Sequence, residues 1–322
     1  MKAVRFHELG GPEVLRYEDI PTPTPGEGQV LVRHEAVGVN FKDTYERSGA
    51  YKVALPFTTG GEAGGVVEAV GSGVSSIKKG QRIVYQGTGG AYADYATVAA
   101  TKVMPVPDGL DVKLATASFL QGLTAHYLCT STFPLQAGQT CLVHAGAGGV
   151  GLLLTQMAKL RGATVITTVS TAEKEALSRA AGADHVIRYT EVDFLPEVER
   201  ITGGAGLPVV YDSVGKDTFD RSLDCLAPRG YLVLFGQSSG RVAPVDPQTL
   251  NAKGSLFLTR PTLGSYTATA DELRWRSLEL FGWMRDGKLN VRIGLELPLA
   301  KAAEAHRALE GRQTTGKVVL VP

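Results

Sequence analysis

Cysteine is scarce in this chain. Cys129, Cys141 and Cys225 are scattered and form no CxxC pair, so spacing gives no disulfide framework and the usage suits a reducing cytoplasm. An excess of one charge is lacking too: 33 Lys and Arg face 32 Asp and Glu, for a formal net charge of +1. Without a basic patch interleaved with aromatics there is no electrostatic case for nucleic acid or an acidic membrane. No run approaches the roughly 18 apolar residues of a membrane span. The opening MKAVRFHELGG lacks the apolar core of a secretory signal. Low-complexity tracts and fixed-period repeats are absent. The expectation is a cytoplasmic protein, and 322 residues allow two domains.

Glycine, by contrast, stands in an informative place. The stretch Val143-His144-Ala145-Gly146-Ala147-Gly148-Gly149-Val150-Gly151 contains Gly-x-Gly-x-x-Gly, carried by Gly146, Gly148 and Gly151. A β-like run, Thr140 to Val143, leads into it and a helix-forming run, Leu152 to Leu160, follows. Between a strand and a helix, the pattern reads as a dinucleotide site rather than an ordinary turn. Bare backbone N–H groups approach a pyrophosphate there, and the helix N-terminus adds partial positive charge.

The next strand, Ala163 to Val169, is β-branched and reads as buried. An NAD site usually ends this strand, about 20 residues after the first glycines, with an acid that holds the ribose 2′-OH. Here it ends Val169-Ser170-Thr171, and Ala172, Glu173 and Lys174 follow. Two hydroxyls and a cation suit a 2′-phosphate, so NADPH is the expected cofactor. Ser170-x-x-Glu173 fits a capping box, which would commit the Glu173 charge to the helix end.

The first 110 residues read as β-rich. Strands are expected at Lys2 to Phe6, Val14 to Asp19, Gln29 to Val39, Gly64 to Val70, Arg82 to Gln86, Ala91 to Val98 and Lys102 to Pro105, separated by Pro- and Gly-rich turns. Such spacing suggests a small barrel or sandwich. Val112 to Phe133 reads as helical. From Thr140 onward the alternation implies an α/β domain with a parallel sheet. Its helices are expected at Val150 to Arg161, Ala172 to Ala181, Leu195 to Ile201 and Thr218 to Leu226, its further strands at Val186 to Arg188, Val209 to Asp212, Tyr231 to Phe235 and Ser255 to Thr259. The tail offers a helix from Ala270 to Asp286 carrying both tryptophans, Trp275 and Trp283, read as core and interface packing. A second helix, Leu299 to Leu309, precedes a strand, Lys317 to Val321, which needs a partner sheet in the N-terminal region.

Several stretches now carry a family likeness: Gly10-Gly11-Pro12-Glu13-Val14-Leu15, Gly38-Val39-Asn40-Phe41-Lys42-Asp43-Thr44-Tyr45, Arg47-Ser48-Gly49-Ala50-Tyr51, Val209-Val210-Tyr211-Asp212-Ser213-Val214-Gly215 and Thr259-Arg260-Pro261-Thr262-Leu263. With the glycine turn, they cover essentially the whole chain. The sequence resembles the medium-chain dehydrogenase/reductase superfamily and, within it, the zeta-crystallin-type NADPH:quinone oxidoreductases. The resemblance implies a GroES-like β-rich catalytic domain over residues 1–122 and 264–322, and a Rossmann doubly wound parallel sheet over 123–263. It assigns the cofactor to Phe41, Thr44, Tyr127, Gly148, Gly149, Val150, Ser170, Thr171, Lys174, Tyr189, Ser213, Phe235, Gly236, Gln237, Ser238, Arg260, Pro261, Thr262 and Arg312. Tyr127 would lie near the nicotinamide half, and Ser170, Lys174 and Tyr189 at the 2′-phosphate. Zinc alcohol dehydrogenases of the superfamily carry a cysteine ligand close to Asn40 and a Gly-His-Glu where this chain reads Gly60-Gly61-Glu62. They also have a four-cysteine lobe, and residues 86–104 hold no cysteine. The six histidines, His7, His34, His126, His144, His185 and His306, make no ligand set, His144 reading as a buried residue beside the glycine turn. No zinc is expected.

A quinone or activated C=C bond is already electrophilic, so hydride transfer to it needs positioning and exclusion of water more than a Lewis acid. Asn40, by the resemblance, is placed near nicotinamide or substrate. Tyr45 and Tyr51 are candidate hydrogen-bond donors to the oxyanion that forms. The leading reading is an NADPH-dependent quinone reductase. A reductase of alkenals or enones and a non-catalytic NADPH-binding protein are the alternatives. A homodimer is expected, with Ser255 to Thr259 as an edge strand pairing with its mate.

Overall fold

The computed structural model describes residues 1–87 and 89–322. The chain divides into two compact units, residues 1–121, 269–286 and 291–322 forming the first and 122–268 with 287–290 the second.

The N-terminal part contributes β1 (Lys2–Phe6), β2 (Arg16–Asp19), β3 (Gln29–Val39), α1 (Phe41–Arg47), β4 (Phe57–Thr58), β5 (Glu62–Val70), β6 (Arg82–Gln86), β7 (Tyr95–Ala99), β8 (Val103–Pro105) and α2 (Val112–Tyr127). The second strand begins later than its sequence suggests, because Pro12–Val14 form a 3-10 turn. Ala91 to Asp94 do not join β7. Their backbone serves other strands, Tyr92 accepting from the Val4 N–H and Asp94 from the His34 N–H. One turn of π-helix, Leu128–Thr132, follows α2. There the Thr130 hydroxyl donates to the His126 carbonyl at 2.7 Å, competing with the helix's own ladder.

The second unit alternates strictly: β9 (Thr140–Val143), α3 (Gly149–Leu160), β10 (Thr164–Val169), α4 (Ala172–Ala180), β11 (His185–Arg188), α5 (Phe194–Thr202), β12 (Leu207–Asp212), α6 (Phe219–Asp224), β13 (Leu226–Leu234), α7 (Pro247–Ala252), β14 (Phe257–Thr259) and α8 (Leu263–Tyr266). Its six strands are all parallel, in the order β11-β10-β9-β12-β13-β14. The chain runs outward from β9 to β11, then returns to start β12 beside β9. That reversal is a topological switch point, where the carboxyl ends of strands open a crevice for ligands. The edge strand β14 starts at Phe257 rather than Ser255, whose φ of 56° breaks extended pairing.

The tail supplies α9 (Ala270–Arg285), β15 (Ile293–Pro298), α10 (Ala302–Glu310) and β16 (Lys317–Val321). Helix α9 opens with a capping box between Thr269 and Glu272. Trp275 is exposed and packs on the Arg276 guanidinium, 4.6 Å from its ring, while Trp283 is half-buried. Core packing therefore does not describe Trp275. A 3-10 turn, Leu299–Lys301, precedes α10.

The first unit holds a seven-stranded sheet built around β3 and a three-stranded sheet, β2-β1-β4. One side of β3 pairs with β5. The other pairs with β7 along residues 29–33 and with β16 along 37–39. Val30, Val32, Val37, Val67, Ile83, Val318 and Leu320 form the centre of its core. The last strand is thus interior, between β15 and β3. Burying its apolar side chains at about 25 cal/mol per Å² ties the tail to the N-terminal sheet.

Candidate functional site

The glycine turn lies at the switch point, at the end of β9. Gly148 caps α3, and Gly149 and Val150 are its first helical residues. By helix geometry the N–H groups of this first turn have no carbonyl within the helix, so they face outward as donors. The other two glycines are sterically required. A Cβ on Gly151 would meet the Ala145 carbonyl oxygen at 2.3 Å, and one on Gly146 would meet Thr167 Cβ at 2.5 Å. Only bare backbone lets turn, helix and β10 approach this closely.

Ser170, Thr171, Lys174 and Tyr189 come together at the ends of β10 and β11. Lys174 Nζ donates to Ser170 Oγ at 3.3 Å, Tyr189 N–H to the Val169 carbonyl at 3.1 Å, and the Thr190 hydroxyl to the Ser170 carbonyl at 2.9 Å. The capping box expected from Ser170 and Glu173 does not form. Thr171 is the N-cap, its Oγ1 accepting from the Lys174 N–H at 3.2 Å, so α4 begins one residue later than that box requires. The Glu173 charge sits in the first turn, where the helix dipole favours it.

Three further strand ends line the same edge of the sheet. Gly236 packs on Ser213, whose carbonyl oxygen would lie 2.5 Å from a Cβ there, and accepts from the Ser238 N–H at 3.1 Å. Phe235 donates its N–H to the Asp212 carbonyl at 2.8 Å, and Gln237 follows in the same half-buried turn. Beyond β14, Arg260 is exposed, Pro261 buried, and Thr262 caps α8. Tyr127 is buried and stacked on Tyr266 of α8, with centroids 4.2 Å apart.

A buried network behind the turn aligns these ends. His144 Nε2 lies 3.0 Å from Ser222 Oγ, and Nδ1 2.9 Å from Thr168 Oγ1. Ser222 donates onward to Asp212 Oδ2 at 3.2 Å, so Nε2 carries the proton and Nδ1 accepts. Burial pushes the His144 pKa down, keeping the ring neutral. Asp212 Oδ1 accepts the N–H groups of Val214 and Gly215. Thr168 meanwhile accepts the Gly146 N–H through its carbonyl. One imidazole thereby couples the glycine turn to the loop after β12.

In the first unit, α1 follows β3 with Asn40 as its N-cap. Asn40 Nδ2 donates to Glu62 Oε2 at 3.0 Å and to the Gly38 carbonyl at 3.3 Å, while Oδ1 accepts from Lys317 Nζ at 2.9 Å. Lys317 Nζ pairs with Glu62 Oε2, and Glu62 Oε1 accepts the Leu120 N–H at 2.5 Å. Both amide hydrogens of Asn40 are therefore committed within the fold. Its backbone N–H goes to Asp43 Oδ2 at 2.9 Å, which also accepts from the Tyr92 hydroxyl at 3.1 Å. Arg47 can only donate, so His306 Nδ1 accepts from it at 2.9 Å and Nε2–H donates to Tyr92 at 3.0 Å. Burial lifts Asp43 to about 6 and lowers His306 to about 3, the Arg47 charge adding to the latter.

Tyr45 and Tyr51 meet edge to face at 5.4 Å, and Phe41 lies 6.2 Å from Tyr45. Thr44 is buried, its hydroxyl donating to the Phe41 carbonyl. Arg312 is exposed in a turn with a φ of 57°.

Comparison with known proteins gives these features a context. Residues 26–108 match the family described as alcohol dehydrogenase GroES-like domain, and residues 149–280 that described as zinc-binding dehydrogenase. The quinone oxidoreductase of Pseudomonas aeruginosa is 48% identical over all of this chain and 99% of its own length. The crystal structure of Escherichia coli quinone oxidoreductase complexed with NADPH has a TM-score of 0.98 at 45% identity, covering 100% of both chains. The chain belongs to the quinone oxidoreductase family. It is thereby a medium-chain dehydrogenase/reductase, with a GroES-like domain in its first unit and a Rossmann domain in its second. The 2-haloacrylate reductase of a Burkholderia species is also similar, 42% identical over 99% of this chain and 98% of its own.

The zinc-binding description of one family contrasts with the donors present. Among the described residues no group of three or more His, Cys, Asp and Glu side chains is placed to hold a metal ion. Sequence reasoning missed the buried Glu62–Lys317 pair. Its members are separated by 255 residues, and no local pattern signals such a contact.

Proposed function

We propose that the protein is an NADPH-dependent quinone oxidoreductase that transfers hydride without a metal. The observation that carries the cofactor choice is the end of β10, where the strand runs into Ser170 rather than an acid and Lys174 meets Ser170. The cradle fits the group: bare glycine backbone at the α3 N-terminus for the pyrophosphate, and a cation with hydroxyls for the 2′-phosphate. Reduced nicotinamide supplies a hydride when bound. Gly148, Gly149 and Val150 would hold the pyrophosphate. Tyr127, Arg260, Pro261 and Thr262 would hold the nicotinamide half, with Ser213 and the turn from Phe235 to Ser238 between. Tyr45 of α1 and Tyr51 in the turn after it would offer phenolic groups to the acceptor, Phe41 and Thr44 would shape the cofactor side, and Asn40, its amide committed to Glu62, Gly38 and Lys317, would position the start of α1 rather than touch the acceptor. Arg312 is assigned an outer cofactor contact. The NADPH complex of the Escherichia coli relative supports the choice of cofactor.

A reductase of activated C=C bonds is the second reading, favoured by the likeness to the 2-haloacrylate reductase. The exposed edge of β14, where Phe257 is 48% exposed and stacked on Tyr231, supports a homodimer through that strand. Three buried free cysteines support a cytoplasmic site of action, and no helix among the described residues is long and apolar enough to cross a membrane. The deciding experiment is NADPH oxidation against panels of quinones and enones, with calorimetry of NADPH binding. Faster turnover of quinones is expected. Faster enone turnover would select the second reading, and tight binding without turnover would select a non-catalytic NADPH-binding protein.

A further inference from the structure

Reduction of a quinone leaves negative charge on an oxygen, and the residues assigned so far oppose it only with neutral donors. We propose that Lys42 is a catalytic residue whose ammonium binds that oxygen and delivers the proton. The inference rests on the quinone reductase reading and adds a residue to it.

Lys42 lies in the first turn of α1, two residues after Asn40 and three before Tyr45. Its Nζ is 3.4 Å from where a Cβ on Gly61 would stand. The Gly87 carbonyl oxygen lies 3.0 Å from the same point, so any side chain at 61 would crowd the ammonium. Gly61 also immediately precedes Glu62, the carboxylate that fixes Asn40. Helix α1 and the start of β5 thus bring a cation, an amide and a glycine backbone to one place. Accessibility separates the two lysines of this region. Lys317 is 1% exposed, sealed between Glu62 and Asn40, whereas the Lys42 side chain is 32% exposed. Glu46, one turn on and itself 5% exposed, pairs with Lys42. This holds the long side chain in one orientation.

The step balances. One hydrogen with two electrons leaves the C4–H bond of the reduced nicotinamide for the quinone, oxidising the ring and reducing the quinone to its monoanion. An Nζ–H bond of Lys42 breaks as the hydroquinone O–H bond forms. The partly exposed amine then regains a proton from water. A fully enclosed oxyanion donor is worth about 10²–10³ in kcat. Lys42 is a third exposed, so solvent and salt reduce its effect to about tenfold.

The test uses 4-nitrophenol, whose ionised form is coloured, titrated with pH while bound to the NADP⁺-saturated protein. The wild type is expected to favour the bound phenolate about tenfold more than Lys42→Met, with Lys42→Arg restoring most of the difference. Lys42→Met should also lower kcat for quinone about tenfold while the NADPH Kd, read by fluorescence, stays constant. Because Lys42→Met strips Glu46 of its ion pair, Lys42→Met/Glu46→Gln is measured alongside and should behave alike. Equal phenolate ionisation in the wild type and both variants would overturn the role of Lys42. Lack of quinone turnover by the wild type would refute the quinone reading instead, and the nitrophenol titration would still decide Lys42.

Discussion

Replacing Lys317 by Met is expected to destabilise the first unit by about 3–5 kcal/mol, because it leaves the fully buried Glu62 carboxylate uncompensated. The magnitude follows from opposing terms. Two unit charges within 4 Å attract by about 4 kcal/mol at an effective dielectric of ~20. Removing each ion from water costs several kcal/mol. The intact pair therefore contributes little net stability, while half of it is a liability. Glu62 retains the Asn40 amide and the Leu120 N–H as donors, which keeps the loss from being larger. Removing both charges, as Glu62→Gln/Lys317→Met, should bring stability back to within about 1 kcal/mol of the wild type. The assay is urea unfolding followed by intrinsic fluorescence. The protein has two tryptophans, both on α9 in the first unit, so the signal reports that unit selectively. If Lys317→Met were no less stable than the double variant, Glu62 would not be a buried anion held by Lys317, and the reasoning would fail.

Other expectations are equally direct. Lys174→Ala should raise the KM for NADPH about tenfold or more, as loss of one charge-assisted contact requires, and leave that for NADH within about twofold; equal effects would refute the 2′-phosphate role. Gly151→Ala, with its Cβ 2.3 Å from the Ala145 oxygen, should cost about 1–3 kcal/mol of stability and weaken NADPH binding in calorimetry; an unaltered Kd would contradict the cradle. Acid should weaken the first unit. Burial holds His34 at about 4 and His306 at about 3, below an ordinary 6.5, so the unfolded chain binds more protons and stability falls as pH drops below 6.5. Asp43, raised to about 6, opposes this by keeping its proton in the fold. The net loss from pH 7 to 5 should be about 2–3 kcal/mol, and urea midpoints that do not move would refute it. Metal analysis should find no stoichiometric zinc, and a full equivalent would contradict the metal-free chemistry.

The legible part of the fold was the part with a local period. The alternation from Thr140 to Thr259 revealed the parallel sheet, and the glycine turn lay between strand and helix as its context required. Elements governed by distant partners were not legible. Strand β15, IGLELP, contains Gly, Glu and Pro, and only its pairing with β16 makes it extended. Helix α1, FKDTYER, has no apolar stripe because its buried positions include Asp43, Glu46 and Arg47, which pair with Tyr92, Lys42 and His306 respectively. At the start of α4, adjacent Ser170 and Thr171 are both good caps, and composition could not choose between them. Lys42 shows the same limit: a lysine in a short polar segment reads as solvated until the backbone places it beside Gly61.

The interior place of β16 has a consequence for biosynthesis. Domains ordinarily fold in the order they leave the ribosome. Here the first unit starts translation yet lacks a central strand, and the lysine partner of Glu62, until residues 317–321 have been made. The second unit, residues 122–268 with 287–290, has been made in full before residue 317. Nascent chains stalled before residue 317 should therefore expose an unzipped edge of β3 to chaperones while the nucleotide-binding half is already native.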